Sequence, residues 1–183
     1  GACTTGAAEP PSTVSAAGVS SPPGSSPPRS SAVVPDTSQA KVTIGGVPDE
    51  PGVAAALFRA LAEEMINVDM IVQNVSDNGE TDISFTVPSE QLPTARDITQ
   101  RLATEIGAGG VTTDETIGRV SVVGAGMASN PGVAATMFET LSNNGINIGM
   151  ISTSAIRISC VVEGTRVDEA TIALHHAFEL DVG

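Results

Sequence analysis

The sequence predicts an α+β protein built from two ferredoxin-like (βαββαβ) units, each an antiparallel sheet with helices on one face. Three observations lead to this prediction. The chain contains an internal repeat, alternating strands flank amphipathic helices in each copy, and the first 30 residues differ in composition from the rest. When residues 51–74 are aligned without gaps to residues 131–154, 11 of the 24 positions are identical, which indicates a duplication.

Composition and charge exclude several classes of protein. The chain has 183 residues with 8 Lys and Arg against 21 Asp and Glu, a net charge of −13. Nucleic-acid binding requires clustered cations, so we expect small molecules and protein surfaces as partners, and no nucleic acid. No apolar run approaches the roughly 20 residues of a membrane-spanning helix, so no membrane is expected either. Cys3 and Cys160 lie far apart in the chain, which favours neither a disulfide framework nor a metal site.

The amino-terminal segment, residues 1–30, is rich in Ser, Pro, Gly and Ala and carries two charged residues, Glu9 and Arg29. Such a segment buries too little apolar surface to offset its ordering entropy, so we expect a disordered tail. The expected domains follow at residues 41–118 and 119–180. Because the first residue is not Met, the sequence is expected to be a fragment or a processed chain, and a lost upstream domain is considered.

The first copy is predicted to follow the order β-α-β-β-α-β. Its first strand alternates around Val42 and Ile44, and Asp49 and Glu50 then precede Pro51, which is typical of a helix start with an acceptor side chain. The following helix has one apolar stripe, formed by Ala54, Leu57, Phe58, Leu61 and Met65. A strand at 66–72 and a hairpin turn at 77–79 come next. The returning strand is predicted to place Ile83, Phe85 and Val87 inward and Asp82, Ser84 and Thr86 on the other side, and a helix at 93–106 and a strand from Val111 complete the copy.

The second copy repeats this order until its last strand. Its predicted strands span residues 119–123, 146–153 and 156–162, and its helices span 131–144 and 166–178. Too few residues follow Phe178 to form a fourth strand. We therefore predict that Ala32-Val33-Val34, within a segment at about 32–40, adds to the edge of this sheet. The first copy would then be an insertion within the second.

The turn into the first helix is the candidate binding motif. It reads GVPDEPGVA in the first copy and GAGMASNPGVA in the second. The first N–H groups of a helix have no partner within it, and this end attracts a carboxylate. Asp49 would hold the ammonium of the same ligand, so the predicted ligand is a free amino acid. A Pro-Gly helix start is also typical of a simple turn and cap.

Several strings in the chain resemble the paired ACT domains that form the regulatory subunit, or the regulatory carboxyl-terminal half, of bacterial aspartate kinase. These strings, within about residues 32–180, are VTIGGVPDEPGVAAALFRAL, INVDMIVQNVS, TDISFTV, VSVVGAGMASNPGVAATMFETL, INIGMISTSAIRIS and ALHHAF. The resemblance implies feedback control of aspartate phosphorylation by threonine and lysine in the biosynthesis of lysine, threonine and methionine. It also implies effectors at interfaces between ACT domains of different chains, an ACT-mediated homodimer, a catalytic aspartate kinase subunit as partner and a cytoplasmic location.

The resemblance also implies a set of effector contacts. They are Asp49, Gly52, Val53, Ala54, Asn67, Val68, Asp69 and Gln73 in the first copy, and Met127, Val133, Ala134, Asn147, Ile148 and Ser154 in the second. For Val53, Val68, Val133 and Ile148 the alternative is core or interface packing. For Asn67 and Asn147 the alternative is hydrogen bonding at a turn or a strand edge.

The chain departs from the family pattern at Gly149 and Ala155, which stand where that pattern has an acidic residue. We expect a weakened charge contact near the second loop. The tail does not resemble the family's catalytic domain, and Lys41 is not in a P-loop. No catalytic residue, cofactor or metal site is therefore expected in this chain, and ATP and Mg would belong to the catalytic subunit.

Two histidines and one cysteine were considered as catalytic groups. His175 and His176 leave opposite sides of the last helix, with His176 expected in solvent and His175 at the border. Cys160 alternates inward with Ile158 and Val162, as a buried structural thiol would. The leading interpretation is an amino-acid-sensing regulatory subunit. The alternatives are the carboxyl-terminal fragment of a full-length aspartate kinase, and an oligomerisation module without a ligand.

Overall fold

A computed structural model describes residues 32–75, 79–124 and 132–180 of the chain. The tail predicted at 1–30 and part of the turn predicted at 77–79 lie outside these residues. The described elements are β1 (Ala32–Asp36), β2 (Gln39–Pro48), α1 (Val53–Glu63), β3 (Ile71–Val75), β4 (Glu80–Pro88), α2 (Leu92–Ile106), β5 (Gly110–Asp114), β6 (Ile117–Val123), α3 (Gly132–Asn143), β7 (Met150–Thr153), β8 (Arg157–Glu163) and α4 (Val167–Ala177).

The strands form two four-stranded antiparallel sheets with the orders β3-β4-β2-β5 and β1-β6-β8-β7. We call the first sheet with α1 and α2 unit one, and the second sheet with α3 and α4 unit two. Each sheet packs one face against its own two helices around a separate apolar core. The predicted fold class, two ferredoxin-like units with helices on one face, is confirmed.

The outer strand of unit two comes from the start of the described chain. β1 lies antiparallel to β6, with Val34 opposite Ser121, as predicted for the apolar run at residues 32–34. All of unit one therefore lies, in sequence, between β1 and the rest of unit two. β5 completes unit one in the equivalent position beside β2.

The sequence pattern correctly identifies the inward face of β4 but not the environment of its other face. Ile83, Phe85 and Val87 are buried in the core of unit one. Thr86, expected on the opposite side, is only 2% exposed, because that side faces the second sheet. Its hydroxyl accepts a hydrogen bond from the Met70 N–H at 3.1 Å.

Three boundary predictions were wrong. Met65, expected in the apolar stripe of α1, is 81% exposed, because the helix ends at Glu63 and Met65 turns the chain with a φ of 57°. The strands predicted from residues 66 and 146 begin later, at Ile71 and Met150. The preceding residues are extended but hold only isolated hydrogen bonds to the neighbouring strand, such as Gly149 N–H to the Val161 carbonyl at 2.8 Å.

The faces of the two sheets that carry no helices pack against each other. Met70 of unit one joins Ile117, Met150 and Val161 of unit two in a buried apolar cluster, which we call the inter-sheet cluster. Around it lie polar side chains, and two pairs of hydroxyls, Thr43 with Ser84 and Ser121 with Ser159, are hydrogen-bonded within their own sheets. The hydroxyls of Ser121 and Ser159, both buried, lie 2.8 Å apart.

One arginine connects the two units electrostatically. The guanidinium of Arg119 on β6 binds the carboxylate of Asp36 on β1 at 2.6 Å and, with its other terminal nitrogen, the carboxylate of Asp69 in unit one. Its side chain is only 14% exposed. A charge enclosed in this way needs an opposite charge close by, so the two aspartates hold Arg119 between the sheets.

The chain crosses between the sheets twice, by the same short turn. Asp36 accepts hydrogen bonds from the Ser38 N–H at 2.9 Å and the Ser38 hydroxyl at 2.6 Å. At the return crossing Asp114 accepts them from Thr116 at 2.9 and 2.7 Å. Burial alone would raise the pKa of Asp36, but the Ser38 hydrogen bonds and Arg119 lower it below its ordinary value. Chiefly the Thr116 hydrogen bonds lower the pKa of Asp114.

We expect Asp36→Asn to reduce the free energy of unfolding at pH 7 by about 2 kcal/mol, since it removes a charged partner of Arg119. The folded-state pKa lies below the unfolded one, so the stabilisation is present above the ordinary value of 3.8 and is lost as pH falls through the folded pKa. The difference between wild type and variant should therefore shrink below about pH 4. Urea unfolding followed by far-UV circular dichroism measures it, because the chain has no Trp or Tyr.

The matched control is Asp97→Asn, because this aspartate on α2 is 71% exposed and pairs only with its neighbour Arg96 among the described contacts. Its unfolding free energy should stay within about 0.5 kcal/mol of wild type at each pH. Equal effects of the two substitutions would contradict the role assigned to Asp36.

Candidate functional site

The turn between β2 and α1 forms a concave site with the neighbouring strands. A cavity of about 360 Å³, which we call the loop pocket, is lined by Val47, Pro48, Asp49, Glu50, Pro51, Gly52, Val53, Ala54, Gln73, Thr81 and Ile83. Five of the predicted effector residues, Asp49, Gly52, Val53, Ala54 and Gln73, are therefore brought together here.

The backbone of the turn is fixed by glycine and by hydrogen bonds to β4 and to the residue before it. Gly46 has a φ of 61° at an irregularity in the pairing of β2 with β4, and its N–H donates to the Asp82 carboxylate at 3.0 Å. The Asp49 N–H then donates to the Gly79 carbonyl at 3.0 Å. A left-handed conformation such as that of Gly46 favours glycine, so the loop shape follows from the sequence at this position.

Helix α1 begins at Val53 without a side-chain cap. Its N-cap is Gly52, with a φ of 104°, and no side chain accepts a hydrogen bond from the first turn. The prediction that an acidic side chain before Pro51 caps this helix was wrong, because Pro51 and Gly52 carry the chain past Asp49 and Glu50 before the helix starts. The first turn of α1 lines the loop pocket through Val53 and Ala54, and a helix start of this kind favours a ligand carboxylate, although the Val53 N–H also donates to the Glu50 carbonyl at 3.4 Å.

The charges of the loop pocket suit a ligand with both signs of charge. The helix start contributes partial positive charge, and the exposed carboxylates of Asp49 and Glu50 lie on the same rim. The floor is apolar and rigid, since Val47 and Ile83 are buried in the core of unit one. Val53 and Ala54 also pack against that core, so their packing role holds alongside any ligand contact.

Three predicted contacts of the first copy do not line the loop pocket. The Asn67 N–H lies 3.4 Å from Oε1 of Gln91, and Val68 packs against the unit-one core. Asp69 binds Arg119 across the sheets. These residues lie in the extended segment before β3.

The predicted contacts of the second copy are dispersed. Met127 lies outside the described residues. Val133 is buried in the core of unit two, and Ala134 and Ile148 pack against it. Ser154 lies in the turn between β7 and β8, where its N–H donates to the Arg157 carbonyl at 2.7 Å. Asn147 lines a different cavity.

This second cavity lies between the units and has a volume of about 290 Å³. We call it the inter-unit cavity; it is lined by Lys41, Asp114, Thr116, Ile117, Gly145, Ile146, Asn147, Gly149, Val161, Val162, Glu163 and Arg166. Nζ of Lys41 lies 3.9 Å from Oδ2 of Asp114 at its wall. Sequence reasoning missed Lys41 and Asp114. The signal was available, because the pairs Asp36/Asp114 and Lys41/Arg119 are both 78 positions apart, close to the 80 positions between the aligned copies.

Comparison with known families agrees with the two units. A family model described as ACT domain matches residues 42–100 and 120–178, which are most of unit one and most of unit two. The chain belongs to the ACT-domain family. The two ACT domains are arranged in tandem, and β1 and β5, one outer strand of each sheet, lie outside the matched residues.

The relatives of these tandem ACT domains are aspartokinases. The chain is 51% identical over 150 residues to an aspartokinase from Mycolicibacterium smegmatis, an alignment that covers 81% of this chain and 36% of the relative. An aspartokinase from Corynebacterium glutamicum is 47% identical over the same length. The chain thus spans about a third of the length of the curated relatives it matches.

Two solved structures match this chain over nearly the full length of their own chains. The regulatory subunit of aspartate kinase from Thermus thermophilus, in its ligand-free form, superposes with a TM-score of 0.78 at 38% identity, covering 81% of this chain and 98% of that one. A chain from a structure of aspartokinase alpha and beta subunits gives 0.77 at 43% identity, covering 82% and 99%. In sequence and in fold, the tandem ACT domains of this chain therefore match those of aspartokinases.

The ACT domains hold no described group of ligands for a metal ion, and no described helix is long and apolar enough to cross a membrane. His176 is exposed and His175 is half-buried, as predicted. Cys160 is fully buried in the core of unit two, and burial raises the pKa of its thiol to about 12. The thiol is therefore protonated at neutral pH and lacks the thiolate that a nucleophile needs.

We expect Cys160 to be unreactive toward a thiol reagent such as DTNB in the folded protein at pH 8. In a Cys3→Ser background, which removes the second thiol, one equivalent should react after denaturation and less than about a tenth of one before it, since reaction requires opening of the core. Absorbance of the released thiolate gives the count. Rapid stoichiometric labelling of the native protein would contradict the buried, protonated state.

Proposed function

We propose that the chain is the regulatory part of an aspartate kinase and that it binds threonine or lysine to mediate feedback inhibition of aspartate phosphorylation. The observation that carries this proposal is the loop pocket, an uncapped helix start beside Asp49 in a tandem ACT chain. The near-complete coverage of known aspartate kinase regulatory chains supports the same assignment.

The proposed binding mode places each end of the amino acid against an opposite charge. The ligand carboxylate accepts hydrogen bonds from the first N–H groups of α1, and its ammonium lies against the Asp49 carboxylate. The amide of Gln73, on the rim formed by β3, reads the polar part of the ligand side chain. Such a helix start tolerates a close approach because Gly52 carries no Cβ.

A homodimer through the ACT domains is part of the proposal. β3 and β7 are outer strands of their sheets and carry exposed isoleucines at equivalent repeat positions, Ile71 (51% exposed) and Ile151 (44% exposed). Open strand edges of this kind pair readily with another chain. Asn67 and Asn147 lie just before these strands, so pairing of two chains would bring them, with Ile148, toward the loop pocket of a partner.

Regulation follows if the effector favours one arrangement of the ACT domains. An effector at the dimer interface can shift the equilibrium only by its difference in affinity for the two arrangements. The catalytic partner, a cytoplasmic aspartate kinase subunit that binds ATP and Mg, would respond to that shift. No catalytic role is proposed for the residues of this chain.

A second candidate assigns the same regulatory role to the carboxyl-terminal part of a longer kinase chain. The observation that favours it is that the alignment covers only 36% of the aspartokinase from Mycolicibacterium smegmatis. Purification of the native protein from its source distinguishes the two. A separate catalytic chain that travels with this one supports the subunit, whereas a single longer chain with phosphotransferase activity supports the second candidate.

We expect Asp49→Ala to raise the Kd for threonine or lysine at least tenfold, because the ligand ammonium loses its carboxylate partner. A tenfold change in Kd corresponds to about 1.4 kcal/mol of binding free energy. Isothermal titration calorimetry measures the change on the chain alone and with a catalytic subunit. Asp97→Ala, on the exposed face of α2, is the control and should bind like wild type.

The oligomeric state of Asp49→Ala should stay unchanged in the same samples. If millimolar threonine and lysine give no heat with the wild-type protein, alone or with the catalytic subunit, the sensing function is wrong. A chain that assembles but never binds would instead fit an oligomerisation module.

We expect Ile71→Lys combined with Ile151→Lys to convert the homodimer to monomers, because two charges are placed at the proposed strand-to-strand contacts. Sedimentation equilibrium gives the mass. Ile172→Lys is the control, since this isoleucine is also exposed but lies on α4, away from the strand edges. An unchanged dimer mass in the double variant would contradict the edge-strand interface.

A further inference from the structure

The two units are related by a repeat in which each sheet directs one cation at the other unit. Arg119 on β6 and Lys41 on β2 occupy equivalent positions, opposite Val161 and Thr86 in their respective sheets. The residue that Arg119 meets in unit one is Asp69. Its equivalent in unit two, by the alignment of residues 51–74 with 131–154, is Gly149.

On one side of the molecule the cation has two carboxylates. Arg119 binds Asp36 on the neighbouring strand at 2.6 Å and also binds Asp69 of the other unit. The Asp69 carboxylate thus occupies the space between the sheets on this side.

On the other side the second carboxylate is absent and its space is open. Lys41 has Asp114 on the neighbouring strand, at 3.9 Å, in the place that Asp36 has beside Arg119. Gly149 supplies no side chain, and the inter-unit cavity of about 290 Å³ lies between Lys41 and the segment that contains Gly149. A Cβ at Gly149 would lie 3.7 Å from its nearest described neighbour, the Val161 carbonyl oxygen, which is an ordinary van der Waals contact.

We propose that the inter-unit cavity binds a free amino acid, whose carboxylate occupies beside Lys41 the place that Asp69 occupies beside Arg119. This site is distinct from the loop pocket, with which it shares no lining residue. It adds a second small-molecule site to the proposed regulatory function and does not depend on binding at the first.

The other charges of the cavity favour a zwitterion over a simple carboxylate. Asp114 and Glu163 both line it, so a bare carboxylate would add a third negative charge. An α-amino acid places its ammonium against these groups. Arg166 contributes little further attraction, because its guanidinium already binds Glu169 and the Asn144 carbonyl. The volume lies at the lower end for small-molecule sites, which suits an amino acid and is too small for a nucleotide.

The test uses Lys41 as its own reporter, because it is the only lysine in the chain. Protein labelled with 13Cε-lysine gives one lysine signal in a proton–carbon correlation spectrum. Unlabelled L-threonine or L-lysine is titrated to millimolar concentration, and acetate serves as the ligand that lacks an ammonium. We expect the chemical shift of the Lys41 signal to change saturably with an amino acid. Acetate should bind with an apparent Kd at least tenfold higher.

Two substitutions at one position form the matched pair. Gly149→Asp supplies the carboxylate that unit one has at Asp69, so the Lys41 signal should no longer respond to ligand, and the Tm should rise by about 2–4 °C. Gly149→Ala adds a Cβ without charge and should retain the response. Asp49→Ala should also retain it, because Asp49 lies in the loop pocket.

The outcomes separate this site from the loop pocket. A Lys41 signal that stays fixed while calorimetry shows Asp49-dependent binding overturns the inter-unit site and leaves the proposed function standing. Loss of the shift in Asp49→Ala, or an equal response in Gly149→Asp and Gly149→Ala, also overturns it. A retained shift in Asp49→Ala with no Asp49-dependent heat supports the inter-unit site and removes the loop pocket instead.

Discussion

The two short crossings of the chain between the sheets determine the positions of the other elements. β1 leads from unit two into unit one and β5 leads back, each through a two-residue turn closed by an aspartate. Because the connections are so short, the sheet faces without helices must lie against each other. That arrangement buries the inter-sheet cluster and encloses Arg119, which then requires the carboxylates of Asp36 and Asp69.

Duplication produced two copies of one fold, but single residues made the two sides chemically different. The exchange of Asp69 for Gly149 replaces an ion pair by a cavity, while the surrounding backbone keeps the same course in both copies. The Asp69 and Gly149 N–H groups even donate to the same position of the adjacent strand, the carbonyls of Thr86 and Val161, at 3.1 and 2.8 Å. A symmetric scaffold can therefore hold unlike sites, one closed by the chain itself and one open to a ligand.

Local patterns were sufficient to predict the fold, and non-local contacts account for what they missed. Alternation placed Ile83, Phe85 and Val87 in the core, and the lack of a last strand in the second copy pointed to residues 32–34. The same reasoning placed Thr86 on the opposite face but did not predict its burial, since no local pattern reports that a second sheet covers that face. Nor could a local pattern predict the ion pair of Asp69, because only the folded chain brings Arg119, 50 residues later, against it. The residues that assemble in the loop pocket are mostly neighbours in sequence, which is why that part was predictable.

The insertion of one unit within the other also sets an order of events during synthesis. β1 leaves the ribosome before the other described strands, but its partner β6 lies about 80 residues downstream, and the contact of Asp36 with Arg119 spans 83 positions. Unit one can close its sheet as soon as β5 has emerged, whereas β1 stays unpaired until β6 follows. β1, the earliest of the described strands to be made, is thus among the last of them to pair.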